Sequence, residues 1–150
     1  MKLEFAGSPT IEAPRERVWQ RLMDPHFLAQ SAPGVEAVET IDPTHFRVLS
    51  GFGVGSIRIR VRMDVELYDI DPGRSAKMRV SGQAAGSAIA VASNMRVVAA
   101  GPDRTQLAWT AISQVSGAVA GIGARLMEGA ARRLTEQFWT DFAERVAQER

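Results

Sequence analysis

The chain has 150 residues and no cysteine, and its 18 basic and 17 acidic side chains leave a formal net charge of +1 at pH 7. These totals favour a single domain over residues 1–150, exclude disulfides, thiolate metal sites and cysteine nucleophiles, and give no support for nucleic-acid binding over the whole surface. No signal peptide and no run of about 18 apolar residues occurs, so we expect a soluble, cytoplasmic protein.

The first predicted elements in chain order are a strand over residues 3–11 and two short helices. The segment APRERVWQRLMD, residues 13–24, places Pro14 at a helix start and apolar side chains at helical spacing. The next proline ends that helix. The segment PHFLAQSAPG then predicts a second short helix, which ends at Pro33 and Gly34.

Six further strands are predicted after these helices, separated by turn residues. They cover residues 35–41, 45–52, 57–67, 75–82, 89–99 and 106–115. The clearest is SIRIRVRMDVELYDI, in which apolar residues take every second position from 57 to 67 with mostly charged side chains between them. That alternation is typical of a half-buried antiparallel strand.

A long amphipathic helix is predicted over residues 119–148, because apolar residues recur there at steps of three and four. An antiparallel sheet with helices at the ends of the sequence is an α+β arrangement. A strongly twisted sheet curls, and a long helix can lie in its concave side. We therefore predict a seven-stranded curved antiparallel sheet wrapped around the long C-terminal helix.

The residue types needed for catalysis or metal binding do not occur in a useful pattern. The two histidines, His26 and His45, have no metal-ligating companion at helical or loop spacing, and spacing assigns no acid–base pair. We expect no catalytic residues, no metal site and no cofactor. A small enzyme on the same fold is an alternative, with Ser93, Asn94 or Gln114 as its polar candidates.

The inner face of the predicted sheet carries no ionisable group, and such faces usually form an ordinary dry core. Two features favour an apolar pocket instead. Its methionines are adaptable fillers, common at apolar binding surfaces. Small residues between 84 and 92 leave one stretch short of volume to fill the space over a curved sheet. The predicted ligand-binding residues are Phe27, Leu28, Phe52, Val61, Met63, Met78, Met95, Trp109, Ile122, Leu126 and Met127.

Three segments in this order are distinctive: GSPTIEAPRERVWQRLMDP, FLAQSAPGVEAVE and GAVAGIGARLMEGAARRLTEQF. Together they resemble the carbon monoxide dehydrogenase G-subunit (CoxG) family of the START and Bet v 1-like superfamily, over nearly the whole chain. The resemblance implies a helix-grip fold and a non-catalytic accessory role beside a molybdenum-containing dehydrogenase. It also implies coupling of that enzyme to the membrane through a lipid or quinone-like ligand. The alternative is an assembly module with a dry interior.

Glycines cluster where the last strand meets the long helix. Their spacing fits neither a dinucleotide-binding loop nor a phosphate-binding loop. We interpret the junction as a hinge that faces the loop after the second helix and gates an apolar pocket. The predicted gate residues are Pro33, Gly34, Val35, Gly117, Gly121 and Gly123.

Arg58, Arg60 and Arg62 lie on the exposed face of the clearest strand. They form either a solvated sheet face, with Asp64 and Glu66 as local partners, or a docking surface for an acidic protein or anionic lipid heads. Aromatic residues are not interleaved with them, which argues against single-stranded nucleic acid. Peripheral contact at the inner face of the membrane is therefore part of the hypothesis. Some relatives carry a membrane-linked tail after the long helix, and because the sequence ends at Arg150 we expect no anchoring by that route.

Overall fold

The computed structural model of the chain describes residues 1–32, 34–84, 86–117 and 124–149. The strands are β1 Lys2–Gly7, β2 Thr10–Ile11, β3 Val35–Asp42, β4 His45–Val54, β5 Ile57–Asp71, β6 Ser75–Ala84, β7 Ser87–Gly101 and β8 Arg104–Gly117. The helices are α1 Arg15–Leu22, α2 Pro25–Gln30 and α3 Ala124–Gln148. The predicted fold, a curved antiparallel sheet around a long C-terminal helix, is confirmed.

All strand pairs are antiparallel, and the sheet order is β1-β8-β7-β6-β5-β4-β3, with β2 also paired to β8. The predicted first strand, residues 3–11, is divided in two, because Pro9 has no N–H for the ladder. Its carbonyl still accepts a hydrogen bond from the Leu107 N–H at 3.0 Å. Both halves therefore remain on the same edge of β8.

The two short helices follow the first strand as predicted, with different boundaries. The carboxylate of Asp24 caps α2, accepting hydrogen bonds from the backbone N–H groups of His26 and Phe27 at 3.1 and 3.3 Å. The prediction that this helix extends to Pro33 and Gly34 was wrong, since α2 ends at Gln30. The chain leaves the helix through a tighter turn, in which the backbone N–H groups of Ser31 and Ala32 donate to the carbonyls of Leu28 and Ala29 at 3.1 Å each.

The helix α3 lies against the inner face of the sheet and is about 37 Å long at the usual rise per residue. Its last turns form a dry core with α1, where Val18, Leu22, Phe142 and Val146 are fully buried. Residues 119–123 of the predicted helix lie outside the described part of the chain. Within the described residues, no helix is both long and apolar enough to cross a membrane.

Candidate functional site: an apolar cavity under the long helix

A cavity of about 260 Å³ lies between the inner face of the sheet and the helices α2 and α3. Its wall consists of Leu28, Ala29, Ala32, Phe46, Val48, Ser50, Met63, Val65, Met78, Val80, Val91, Ser93, Ala111, Ser113, Leu134, Thr135, Phe138 and Trp139. None of these described wall residues has an ionisable side chain. An apolar cavity of about 150 Å³ holds benzene, so this one has room for a fused two-ring system.

The position of the cavity follows from side-chain size along the inner face of β8. Leu107 and Trp109 are large and buried, whereas the next two inward positions are Ala111 and Ser113. The next inward side chain, that of the buried Val115, is larger again. The sheet is therefore short of volume in the middle of this strand, and the cavity opens there.

The helix α3 closes one end of the cavity with aromatic rings. The indole of Trp139 stacks on Trp109 with ring centroids 5.7 Å apart, and Phe138 meets Trp139 edge-on at 4.8 Å. One turn further on, Phe142 is fully buried in the dry core. The middle turns of α3 thus face the cavity, while its last turns pack solidly.

The helix α2 forms a second wall and is clamped to α3 by one side chain. Arg145 donates hydrogen bonds to the carbonyl of Phe27 at 3.0 Å and to Ser31 Oγ at 2.9 Å. Its guanidinium also lies 4.1 Å from the centroid of the Phe27 ring. Because Leu28 and Ala29 belong to the same helix, this clamp fixes their position in the cavity wall.

Four hydroxyl side chains interrupt the otherwise apolar wall: Ser50, Ser93, Ser113 and Thr135. The Ser93 hydroxyl donates a hydrogen bond to the carbonyl of Thr110 at 2.7 Å. Ser50 is only 1% exposed, and its Oγ has no hydrogen-bond partner among the described residues.

Three of the predicted ligand-binding residues, Leu28, Met63 and Met78, lie in the cavity wall. Phe52 has a side chain outside the described set, and Ile122 lies in the undescribed segment before α3. The remaining six are placed elsewhere in the interior or on the surface.

Four of these six are buried beside the cavity wall. Phe27 packs edge-on against Phe142 with centroids 5.6 Å apart. Val61 fills the space against the glycine face of β6, and Met95 lies opposite Trp109 in the β7–β8 register. They belong to the packing that supports the cavity.

The other two predicted residues lie in the first described turn of α3. Met127 is buried, whereas Leu126 is 43% exposed and lies next to the β4–β5 turn at Gly55. The helix meets the cavity about two turns later, at Leu134 to Trp139. Periodicity marks Leu134 and Phe138 as inward-facing, but it gives no sign that Trp139 also faces inward.

The small residues that create the cavity are not those expected from the sequence. Ala88, Ala90 and Ala92 are exposed on the outer face of β7. The prediction that this run leaves space inside was wrong, because side chains of a strand alternate between the two faces. The inward neighbours on β7 are Ile89, Val91 and Ser93, and the missing volume lies on β8.

Two of the predicted gate glycines have backbone geometry that requires glycine. Gly34 has φ +68°, and a Cβ there would overlap the carbonyl oxygen of Gly51. Gly117 has φ +88°, and a Cβ there would overlap the carbonyl oxygen of Gly86. Val35 is half-buried and opens β3 opposite Ser50. The other predicted gate residues, Pro33, Gly121 and Gly123, lie outside the described part of the chain.

The exposed arginines of β5 lie on the outer face of the sheet, away from the cavity. Arg60 donates a hydrogen bond to Glu36 at 2.7 Å, and Arg58 lies 4.0 Å from the same carboxylate. The predicted local acids are paired with other strands, Asp64 with Arg47 at 2.8 Å and Glu66 with Arg79 at 3.5 Å. Much of the positive charge on this face is therefore matched locally.

Of the three polar residues proposed for an enzyme, only Ser93 lies in the cavity wall, and its hydroxyl donates to the carbonyl of Thr110. Asn94 and Gln114 are exposed, and His26 is an exposed residue that contacts Thr40. His45 Nδ1 lies 2.9 Å from Asp42 Oδ1 at the β3–β4 turn, and this hydrogen bond raises the pKa of His45 and lowers the pKa of Asp42. Among the described residues, no group of three or more metal-ligating side chains forms a site.

The fold and the cavity together define a helix-grip protein of the START and Bet v 1-like class. A curved sheet encloses a long helix, and the space between them is lined with uncharged side chains. The chain belongs to the carbon monoxide dehydrogenase G-subunit (CoxG) family, whose profile matches residues 7–147. The family resemblance of the three sequence segments is thereby confirmed.

Solved structures agree with this class. A conserved protein from Geobacillus kaustophilus is 26% identical, with a TM-score of 0.87 over 97% of this chain and 96% of that one. An aromatase/cyclase from Streptomyces sp. R1128 is 19% identical, with a TM-score of 0.71 over 97% and 94%. A START superfamily protein from Mycobacterium smegmatis is 14% identical, with a TM-score of 0.72 over 97% of both chains. The last two show the shared fold alone. The comparison with curated proteins finds no match.

Proposed function

We propose that this protein is a non-catalytic carrier that encloses an apolar small molecule, a lipid or a quinone-like compound, in the cavity under α3. The observation that carries the proposal is the wall itself, with room for about 260 Å³ of ligand and no ionisable side chain among its described residues. Cores of ordinary proteins have few voids larger than a water molecule. A cavity of this size and chemistry suits a ligand that is itself uncharged and apolar.

The wall supports a ring-shaped rather than a purely linear ligand. Flat surfaces are supplied by Phe46, Phe138 and Trp139, and aromatic rings of a ligand pack well against them. Met63 and Met78, on the sheet with Phe46 and across the cavity from α3, adapt their shape to irregular ligands. A quinone-like ring matches both properties.

The partner in this proposal is a molybdenum-containing carbon monoxide dehydrogenase, by way of the family to which the chain belongs. The carrier would take a quinone-like electron acceptor between that enzyme and the membrane. The exposed residues Arg58, Arg60 and Arg62 would form its peripheral docking surface, and the loop at Gly34 its gate. Removing the charges of Arg58 and Arg62 should then weaken sedimentation with anionic vesicles but not with neutral vesicles.

The ligand is tested with protein purified from its own host and with a defined probe. Native mass spectrometry should detect a co-purifying lipid or quinone. Addition of 2-methyl-1,4-naphthoquinone at about 100 times its dissociation constant should raise the melting temperature by ~5–10 °C. Absence of both a bound mass and a thermal shift would contradict the carrier.

The alternative, an assembly module with no ligand, is separated by a variant with a filled cavity. Ala111→Leu places three extra carbons in the wall without changing the outer face. A carrier with this substitution should still co-purify with the dehydrogenase but should no longer support reduction of quinone. An assembly module would keep both properties.

A further inference from the structure

Ser50 stands apart from the other buried polar residues of the described chain, which are Ser31, Ser93 and Thr105. Each of those three donates a hydrogen bond to a backbone carbonyl, at distances of 3.2, 2.7 and 2.7 Å. The Oγ of Ser50 is equally buried and has no such partner among the described residues. Buried polar groups in proteins nearly always have partners, so this exception calls for a specific explanation.

Main-chain pairing on both sides holds Ser50 in the sheet. Ser50 sits in register between Val35 on β3 and Val61 on β5, and the next N–H along the strand, that of Gly51, donates to the carbonyl of Gly34 at 2.9 Å. The β4–β5 register is therefore unbroken across this position, while on the β3 side a register shift falls between Val35 and Ala37, next to Ser50. The side chain lies in the cavity wall, in line with Phe46 and Val48 on the inner face of β4.

A serine hydroxyl supplies one neutral donor, and its surroundings restrict what it can bind. A carboxylate or phosphate would be a buried charge, and no wall residue among those described carries the positive charge needed to balance it. An uncharged carbonyl oxygen needs only the one donor that Ser50 offers. We propose that Ser50 Oγ–H donates a hydrogen bond to a carbonyl oxygen of an otherwise apolar ligand and so determines both its orientation and its selection.

This inference rests on the proposed carrier function, and the test uses two probes that differ only in a carbonyl group. 1-Tetralone and tetralin share a fused two-ring frame, but only 1-tetralone has a carbonyl oxygen. Binding of both is measured by quenching of tryptophan fluorescence or by calorimetry, in the wild-type protein and in Ser50→Ala. The substitution should weaken 1-tetralone ~3–10-fold, the usual effect of one lost hydrogen bond, and change tetralin less than twofold.

The stability of the ligand-free variant gives a second readout that a structural serine would not produce. Ser50→Ala should leave the melting temperature unchanged or raise it, because it removes a buried hydroxyl without a protein partner. The matched control is Ser93→Ala in the same cavity, which breaks the hydrogen bond to Thr110 and should lower the melting temperature.

The outcomes distinguish the proposed role of Ser50, which anchors the ligand through its carbonyl oxygen, from the proposed carrier function of the whole protein. Equal loss for both probes, or no loss for 1-tetralone, would overturn the role of Ser50 while leaving the carrier intact. If the wild-type protein bound 2-methyl-1,4-naphthoquinone but neither of these two probes, the role of Ser50 would be overturned and the carrier would stand. Binding of none of the three compounds would contradict both. A marked fall in the melting temperature of Ser50→Ala would make this serine a structural residue instead.

Discussion

Replacement of Ala111 by leucine tests whether the space under α3 is a true cavity. Ala111 is 7% exposed and lies in the wall on β8, so the added atoms would enter the cavity rather than solvent. Three added carbons at about 0.8 kcal/mol each contribute ~2.4 kcal/mol. Fixing the new side chain costs about 0.5–1 kcal/mol. We therefore expect Ala111→Leu to be more stable than the wild type by ~1–2 kcal/mol.

The assay is equilibrium unfolding in urea, with the slope of the transition compared between the two proteins. Ala90→Leu is the matched control, because Ala90 occupies an exposed position on the outer face of β7. Its free energy of unfolding should stay within about 0.5 kcal/mol of the wild-type value. The same two variants are then titrated with 2-methyl-1,4-naphthoquinone, and only Ala111→Leu should lose binding.

The sign of the change in the free energy of unfolding decides whether Ala111 borders an unfilled cavity or a packed core. Inserting methylenes into a well-packed core costs typically about 1–3 kcal/mol, the opposite of the change expected for a cavity. A destabilised Ala111→Leu protein that still binds the naphthoquinone would refute both the volume at this position and its use as a ligand site.

Three further expectations concern the surroundings of the cavity. Gly34→Ala should destabilise the protein more than Gly73→Ala in urea unfolding; both glycines have positive φ, a penalty of about 1–2 kcal/mol, but only at Gly34 would the Cβ also overlap backbone. In an NMR titration His45 should show a pKa above the ordinary histidine value, and Asp42→Asn should lower that pKa. Because the pKa is raised in the folded protein, the His45–Asp42 pair stabilises the fold fully at pH values below the ordinary histidine pKa. This stabilisation is lost as pH rises through the raised pKa. Arg145→Met should destabilise the protein by ~1–3 kcal/mol and speed amide exchange in α2, with Arg145→Lys recovering only part of the effect.

The fold could be predicted because its signals are local. Alternation over residues 57–67 specifies a strand and its buried face without reference to any other part of the chain. The turn after β5 ends where Gly73, with φ +77°, allows the reversal. The errors lie at boundaries: Pro9 interrupts the first strand, and α2 stops at Gln30 in a tighter turn that the apolar pattern does not mark.

The site could be predicted only in part because its position depends on how α3 crosses the sheet. The inner faces predicted for β5 and β6 were correct, and Met63 and Met78 on them do line the cavity. Among the helix residues, Leu126 is exposed beside a turn, whereas Trp139, which was not named, lies in the cavity wall and stacks on Trp109. Periodicity gives the inward side of a helix but not which of its turns lies over the least filled part of the sheet.

The small residues of the wall have a large consequence for stability. Residual cavity volume costs about 24 cal/mol per Å³ in cores that have lost side-chain atoms, so 260 Å³ corresponds to ~6 kcal/mol relative to a filled interior. That is comparable to the whole stability of many domains. At the packed end of the molecule Val18, Leu22 and Phe142 are fully buried, so the dense packing lies there and not beside the cavity. On this reasoning, leucine at Ala111 alone should recover part of the deficit. A ligand that fills the cavity would restore much of the lost contact, and this coupling is why its binding should appear as a rise in melting temperature.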